Sequence, residues 1–71
     1  MIPDNLSRSE LEALIDEWII GKNAQRDRAI IRMRLIDGVT FELISMSFDM
    51  SVRQIKNIVY KGERKIYSHI K

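Results

Sequence analysis

Thr40-Phe41-Glu42-Leu43-Ile44-Ser45-Met46-Ser47-Phe48-Asp49-Met50-Ser51-Val52-Arg53-Gln54-Ile55-Lys56-Asn57-Ile58-Val59 is the stretch whose reading decides the fold. Thr40 suits the N-cap of a short helix ending near Phe48, with Phe41, Ile44, Ser45 and Phe48 on its inner face. Asp49-Met50 then marks a turn, because aspartate tolerates the left-handed backbone that a sharp reversal demands. Ser51-Val52-Arg53-Gln54 matches a capping box, in which the serine and glutamine side chains satisfy each other's free backbone amides. A second helix therefore starts at Ser51. Two helices joined by so short a turn form a helix-turn-helix. Ser45 is small where the helices must approach, and Ile44, Phe48, Ile55 and Ile58 offer an apolar seam between them.

Working outward, the helix that starts at Ser51 extends to about residue 69. Ile55, Ile58, Val59, Gly62, Ile66 and Ile70 form its apolar stripe. Its length is on the order of 28 Å at the α-helical rise. Opposite the stripe lie Arg53, Lys56, Asn57, Tyr60, Lys61 and Arg64. A DNA major groove, about 12 Å wide, admits one α-helix. Arginine and lysine neutralise phosphates or donate to guanine, and asparagine pairs with adenine through two bonds. The early turns of the second helix enter the groove in this motif. Val52, Arg53 and Asn57 are therefore the expected base contacts, with Lys56 and Lys61 on phosphates. The Ser51 amide at the helix start is a further phosphate candidate. The competing reading is an ordinary solvated face whose late basic residues favour the helix dipole.

Upstream, Asn23 suits the N-cap of a helix over residues 24–36, ended by Asp37-Gly38. Ala24, Ile31 and Leu35 share one side of it, while Ile30, Met33 and Ile36 point elsewhere, so it should be packed on more than one side. Arg26, Arg28, Arg32 and Arg34 must then extend their heads into water or onto a partner. Ser7-Arg8-Ser9-Glu10 is another capping box, opening a helix over residues 7–20 with Leu11, Leu14, Ile15 and Trp18 on one face and Gly21 as its stop. The expectation is an all-α fold: one small four-helix domain over residues 1–71 with a C-terminal helix-turn-helix.

The 71 residues bound the chain to one small core, and the absence of cysteine excludes disulfides and thiolate metal sites. The formal net charge is only +2, but it is unevenly spread. Residues 1–21 hold one base and five acids, whereas residues 22–71 hold eleven bases and five acids. An acidic head on a basic body points to a polyanion-facing surface in the second part. No signal peptide is visible at Met1-Ile2-Pro3-Asp4-Asn5, and no apolar run approaches the roughly 20 residues of a bilayer span, so a cytoplasmic protein is the default.

The stretch from Arg26 to Ile66 resembles region 4 of sigma-70-type RNA polymerase sigma factors. The strings that carry the likeness are Ile30-Ile31-Arg32-Met33-Arg34-Leu35, Asp37-Gly38-Val39-Thr40-Phe41-Glu42, Phe48-Asp49-Met50-Ser51, Ile55-Lys56-Asn57-Ile58 and Arg64-Lys65-Ile66. The resemblance implies two leading helices before a helix-turn-helix that reads the promoter −35 element, and docking of the domain on RNA polymerase. It implies that Val52, Arg53, Lys56 and Asn57 face the groove and that Arg32 and Thr40 lie near phosphates. Val52 stands where the family often has a base and Arg53 where a glutamate is common, which implies a different DNA preference. The chain has no room for the domain that reads the −10 element. It is therefore more similar to the small sigma-like regulators of bacteriophages and mobile elements than to a housekeeping factor.

Other functions find less support in the residues. Asp16 and Glu17 are adjacent and diverge by about 100° on a helix, and no serine, histidine and acid arrangement suggests an enzyme. His69 is expected to be a solvent-exposed terminal residue, Gly21, Gly38 and Gly62 form no phosphate loop, and neither cofactor nor metal is expected. Gly62, which costs its helix about 1 kcal/mol relative to alanine, marks either close packing against another helix or a simple weak spot. The four methionines suggest core filler. The main alternative is an interaction adaptor that binds RNA polymerase or another regulator without reading DNA. Leu43 and Met46 lie off the inner face of the short helix, and either the first helix covers them or they contact a partner. Trp18, Ile19 and Ile20 raise the same question. No membrane partner is expected, because the apolar stripe of the last helix is needed within the bundle. A homodimer stays open and would demand half-sites spaced by whole helical turns.

Overall fold

The computed structural model describes residues 6–69, which form four helices and no strand: α1 (Arg8–Trp18), α2 (Ala24–Leu35), α3 (Phe41–Phe48) and α4 (Val52–Tyr67). Met1 to Asn5 and the expected continuation of the α4 stripe at Ile70 lie outside the described residues.

Three of the four helices start with a side-chain cap. Both capping boxes close reciprocally, Ser7 with Glu10 and Ser51 with Gln54. Thr40 Oγ1 accepts from the Leu43 amide at 3.2 Å. Asn23 differs from expectation. Its backbone sits at φ −108°, ψ 26°, and its side chain makes no cap bond. The extended backbone that aims an N-cap side chain at the helix amides is absent there, and backbone carbonyls serve the start of α2 instead: Asn23 O accepts from Asp27 N at 2.9 Å and Gly21 O from Ala24 N at 3.2 Å.

The helix ends are shorter than the sequence suggested. α1 stops at Trp18 rather than residue 20 because Ile19 turns out of the helix at φ −89°, ψ 92° and buries its side chain. Arg28 Nε donates to the freed Ile19 carbonyl at 2.8 Å, which removes the cost of an orphaned acceptor. α4 ends at Tyr67, and a tighter last turn follows in which His69 N donates to Ile66 O at 3.0 Å.

Two apolar clusters hold the helices. One gathers Leu11, Ile15 and Ile19 with Ile31 of α2 and Ile66 of α4. The other gathers Ile30, Ile44, Ile55 and Val59, with Phe41, Phe48 and Met50 packed at its margin. Ile30 and Ile31 are neighbours in sequence yet serve different clusters, so α2 is packed on two sides as its apolar pattern required. Leu35 and Ile58 border both clusters and join them.

Gly62 is buried where α4 crosses α2. A Cβ at that position would lie 2.4 Å from Ile31 Cδ1 and 3.1 Å from Ile31 Cγ1. Glycine costs a helix interior about 1 kcal/mol relative to alanine. Here the missing side chain is what lets Ile31 reach α4.

Candidate nucleic-acid interface

The chain reverses at Asp49, a non-glycine residue in left-handed conformation, at φ 53°, ψ 46°. Asp49 N donates to Ser45 O, and Met50 N donates to the same carbonyl at 3.0 Å. Ser45 Oγ turns back to donate to Glu42 O at 2.8 Å, leaving little bulk on the side facing α4. Ile44 and Ile55 meet in the core behind this turn, fully buried. α3 and α4 are thus a helix-turn-helix with the expected seam.

Burial of Ile55, Val59, Gly62 and Ile66 fixes the rotation of α4. The opposite surface then faces outward by geometry, since residues three and four apart share a face. Arg53, Lys56, Asn57, Tyr60, Lys61 and Arg64 are all exposed, and Val52 is half-buried at the helix start. Among the described residues no ion pair or side-chain hydrogen bond engages Arg53, Asn57 or Lys61. α4 carries five bases and one acid. That acid, Glu63, is partly buried and accepts from the Tyr67 hydroxyl at 3.5 Å. Burial raises the Tyr67 phenol pKa, and the Glu63 charge and hydrogen bond add to it.

The remaining expected contacts are placed less uniformly. Ser51 N already donates to Gln54 Oε1 at 3.0 Å and Ser51 Oγ accepts from Gln54 N at 3.1 Å. The free donors at the start of α4 are instead the Val52 and Arg53 amides, which precede the first intrahelical bond. Thr40 is exposed at the N-terminus of α3, beside Phe41. Arg32 is drawn to α1, where its Nη2 donates to Asp16 Oδ1 at 2.7 Å, and its Nε is buried without an acceptor.

The arginines of α2 do not simply extend into water. Arg26 pairs with Asp27, Arg28 with the Ile19 carbonyl, Arg32 with Asp16 and Arg34 with the Val39 carbonyl. Arg34 also marks a feature that the sequence reading missed. Its Cζ lies 4.4 Å from the centroid of the Phe41 ring, and Lys56 Nζ lies 5.6 Å from the same ring. Tyr60 meets Phe41 edge to face at 6.0 Å. One aromatic ring therefore gathers a cation from α2 and another from α4 next to the Thr40 cap, each attraction worth about 0.5–1 kcal/mol at an exposed site. The Lys56 and Tyr60 spacing showed on α4 alone; no local pattern connects Arg34 to Phe41 across the Gly38 loop.

Leu43 and Met46 stand on the outer face of α3, 55% and 76% exposed. The first helix does not cover them, because α1 packs on α2 and α4 and makes no close approach to α3. His69 is exposed as expected, but its ring stacks on Trp18 with centroids 3.4 Å apart and planes 6° from parallel. Among the described residues no helix is long and apolar enough to cross a membrane. The chain matches no family model, no curated protein and no solved structure.

Proposed function

We propose that this chain binds double-stranded DNA sequence-specifically in transcription regulation, in the manner of sigma-70 region 4, with α4 lying in the major groove. The observation that carries the reading is the outer face of α4: Arg53 and Asn57 are exposed and unengaged among the described residues, immediately after the turn at Asp49. Val52, Arg53 and Asn57 read base edges. Lys56 and Lys61 contact phosphates, with Thr40 at the flank. Arg34, held against Phe41, adds a cation beside Lys56. The Asp16 pairing makes Arg32 the weakest member of the phosphate set, since a phosphate has to displace a carboxylate to engage it. The role is that of a small cytoplasmic regulator of bacterial or bacteriophage origin, and it needs no catalytic group.

Selection of bound duplexes from a randomised library tests the proposal. An enriched site is expected, and affinity for it should fall steeply with salt as phosphate contacts release counterions. Failure of any duplex to bind at low salt would remove the DNA reading.

Exposure of Leu43 and Met46 supports a second role, protein contact, with RNA polymerase the partner that the sigma-like pattern suggests. Leu43→Asp should keep its helicity, because the residue is exposed, and lose polymerase binding while retaining DNA binding. Loss of helicity, or undiminished polymerase binding, would exclude that role for this face.

A further inference from the structure

Where α1 ends, a groove of about 260 Å³ opens between its tail, α2 and α4. Ile19, Ile31 and Ile58 give it an apolar floor, and Lys61 and Lys65 of α4 face the paired Arg26 and Asp27 of α2 across it. Ile20 stands at its lip with 63% of its surface exposed. The volume falls below the roughly 300–1,000 Å³ of small-molecule pockets and suits an inserted side chain better than a ligand.

We infer that this patch is the interface of a two-fold homodimer, in which Ile20 of each copy enters the groove of the other. A two-fold interface uses the same surface on both partners, so one patch must carry both the projecting and the receiving element. Here Ile20 projects and the adjoining groove receives. Charge agrees with this pairing. Arg26 and Asp27 offset each other, so the uncompensated charge of the rim is that of Lys61 and Lys65, and the segment that delivers Ile20 is the tail of α1, the acidic helix, with Glu17 exposed three residues earlier. The Asp16 carboxylate is already held by Arg32, which leaves Glu17 as the acid available to a partner's rim. The patch is small against the roughly 1,000 Å² of a lasting interface, so pairing depends on concentration. Lys61 belongs both to the rim and to the proposed phosphate set, whereas Arg53 and Asn57 lie eight and four residues before it, so the early turns of α4 stay free in the pair. The inference does not require DNA binding, and Lys61 is the residue that both readings use.

Sedimentation equilibrium of the full chain from micromolar to millimolar concentration, without DNA, tests it. The apparent mass should climb to twice that of the monomer and no further. Ile20→Lys places a cation against a basic rim and should weaken pairing about tenfold or more, as expected for a central anchor. Its circular dichroism should match the wild type, since the side chain is exposed. Leu43→Lys, on the far helix, should leave pairing unchanged. A wild-type chain that stays monomeric, assembly beyond the dimer, or pairing lost with Leu43→Lys and kept with Ile20→Lys would overturn the inference.

Discussion

α1 and α4 begin alike and end up facing opposite charges. Each opens on a serine whose side chain closes a capping box three residues on, and each buries an isoleucine completely, Ile15 in α1 and Ile55 in α4. Their outer faces differ. α1 carries Glu10, Glu12, Asp16 and Glu17 against one base, and α4 carries Arg53, Lys56, Lys61, Arg64 and Lys65 against one acid. The difference teaches that cap and stripe make a helix and dock it, while the charge of its outer face is written in residues the fold does not constrain. α1 ties part of its charge inside the chain, through Asp16 on Arg32 and Arg8 on Asp37, and leaves Glu17 exposed. α4 leaves its charge outward.

The largest effects should be those that the two helices share. Ile15→Ala and Ile55→Ala should each cost about 2–5 kcal/mol, measured by urea denaturation. A domain of this length has only roughly 4–10 kcal/mol in hand, so either variant should be partly unfolded near 37 °C. A much milder loss at Ile55 than at Ile15 would mean that α4 is docked less firmly than its burial implies.

Arg53→Ala should separate the helices. It should weaken binding to the selected duplex by about 1–3 kcal/mol and flatten the preference at one base position, with thermal stability unchanged. Glu17→Ala on α1 should leave DNA affinity nearly untouched. Equal loss on every duplex would reassign Arg53 to a phosphate.

Gly62→Ala should destabilise by about 1 kcal/mol net, because overpacking against Ile31 exceeds the gain in helix propensity. Ile31→Val removes the atom in the way, so the double variant should lose less than the sum of the two single variants, measured as a double-mutant cycle. Additive losses would show that Ile31 does not close on Gly62. The smallest effects should be those of the caps: Ser7→Ala and Ser51→Ala, about 0.5–1 kcal/mol each by thermal melting, with Ser51→Ala also loosening the start of α4.

The fold was legible where local chemistry and periodicity agreed. The boxes at Ser7 and Ser51, the cap at Thr40, the left-handed Asp49 and the stripe through Ile55, Val59, Gly62 and Ile66 are all short-range signals, and the structure realises each of them. What the sequence hid was long-range. Nothing near Ile19 announces that Arg28 will take its carbonyl and end α1 early. Arg32 looked free until α1 brought Asp16 to it, and Arg34 until the loop folded Phe41 beneath it. Leu43 and Met46 could not be placed from periodicity, because whether α1 reaches α3 depends on how all four helices cross. The outward face of α4 was legible because the buried stripe determines its direction.

The most direct test of that face is nuclear magnetic resonance of the labelled chain titrated with a selected duplex. The largest shifts should fall on Val52, Arg53, Lys56, Asn57 and Lys61, with a lesser set near Thr40 and little change on α1. Shifts centred on Leu43 and Met46, or on the acidic side of α1, with Arg53 and Asn57 unmoved, would contradict the central claim.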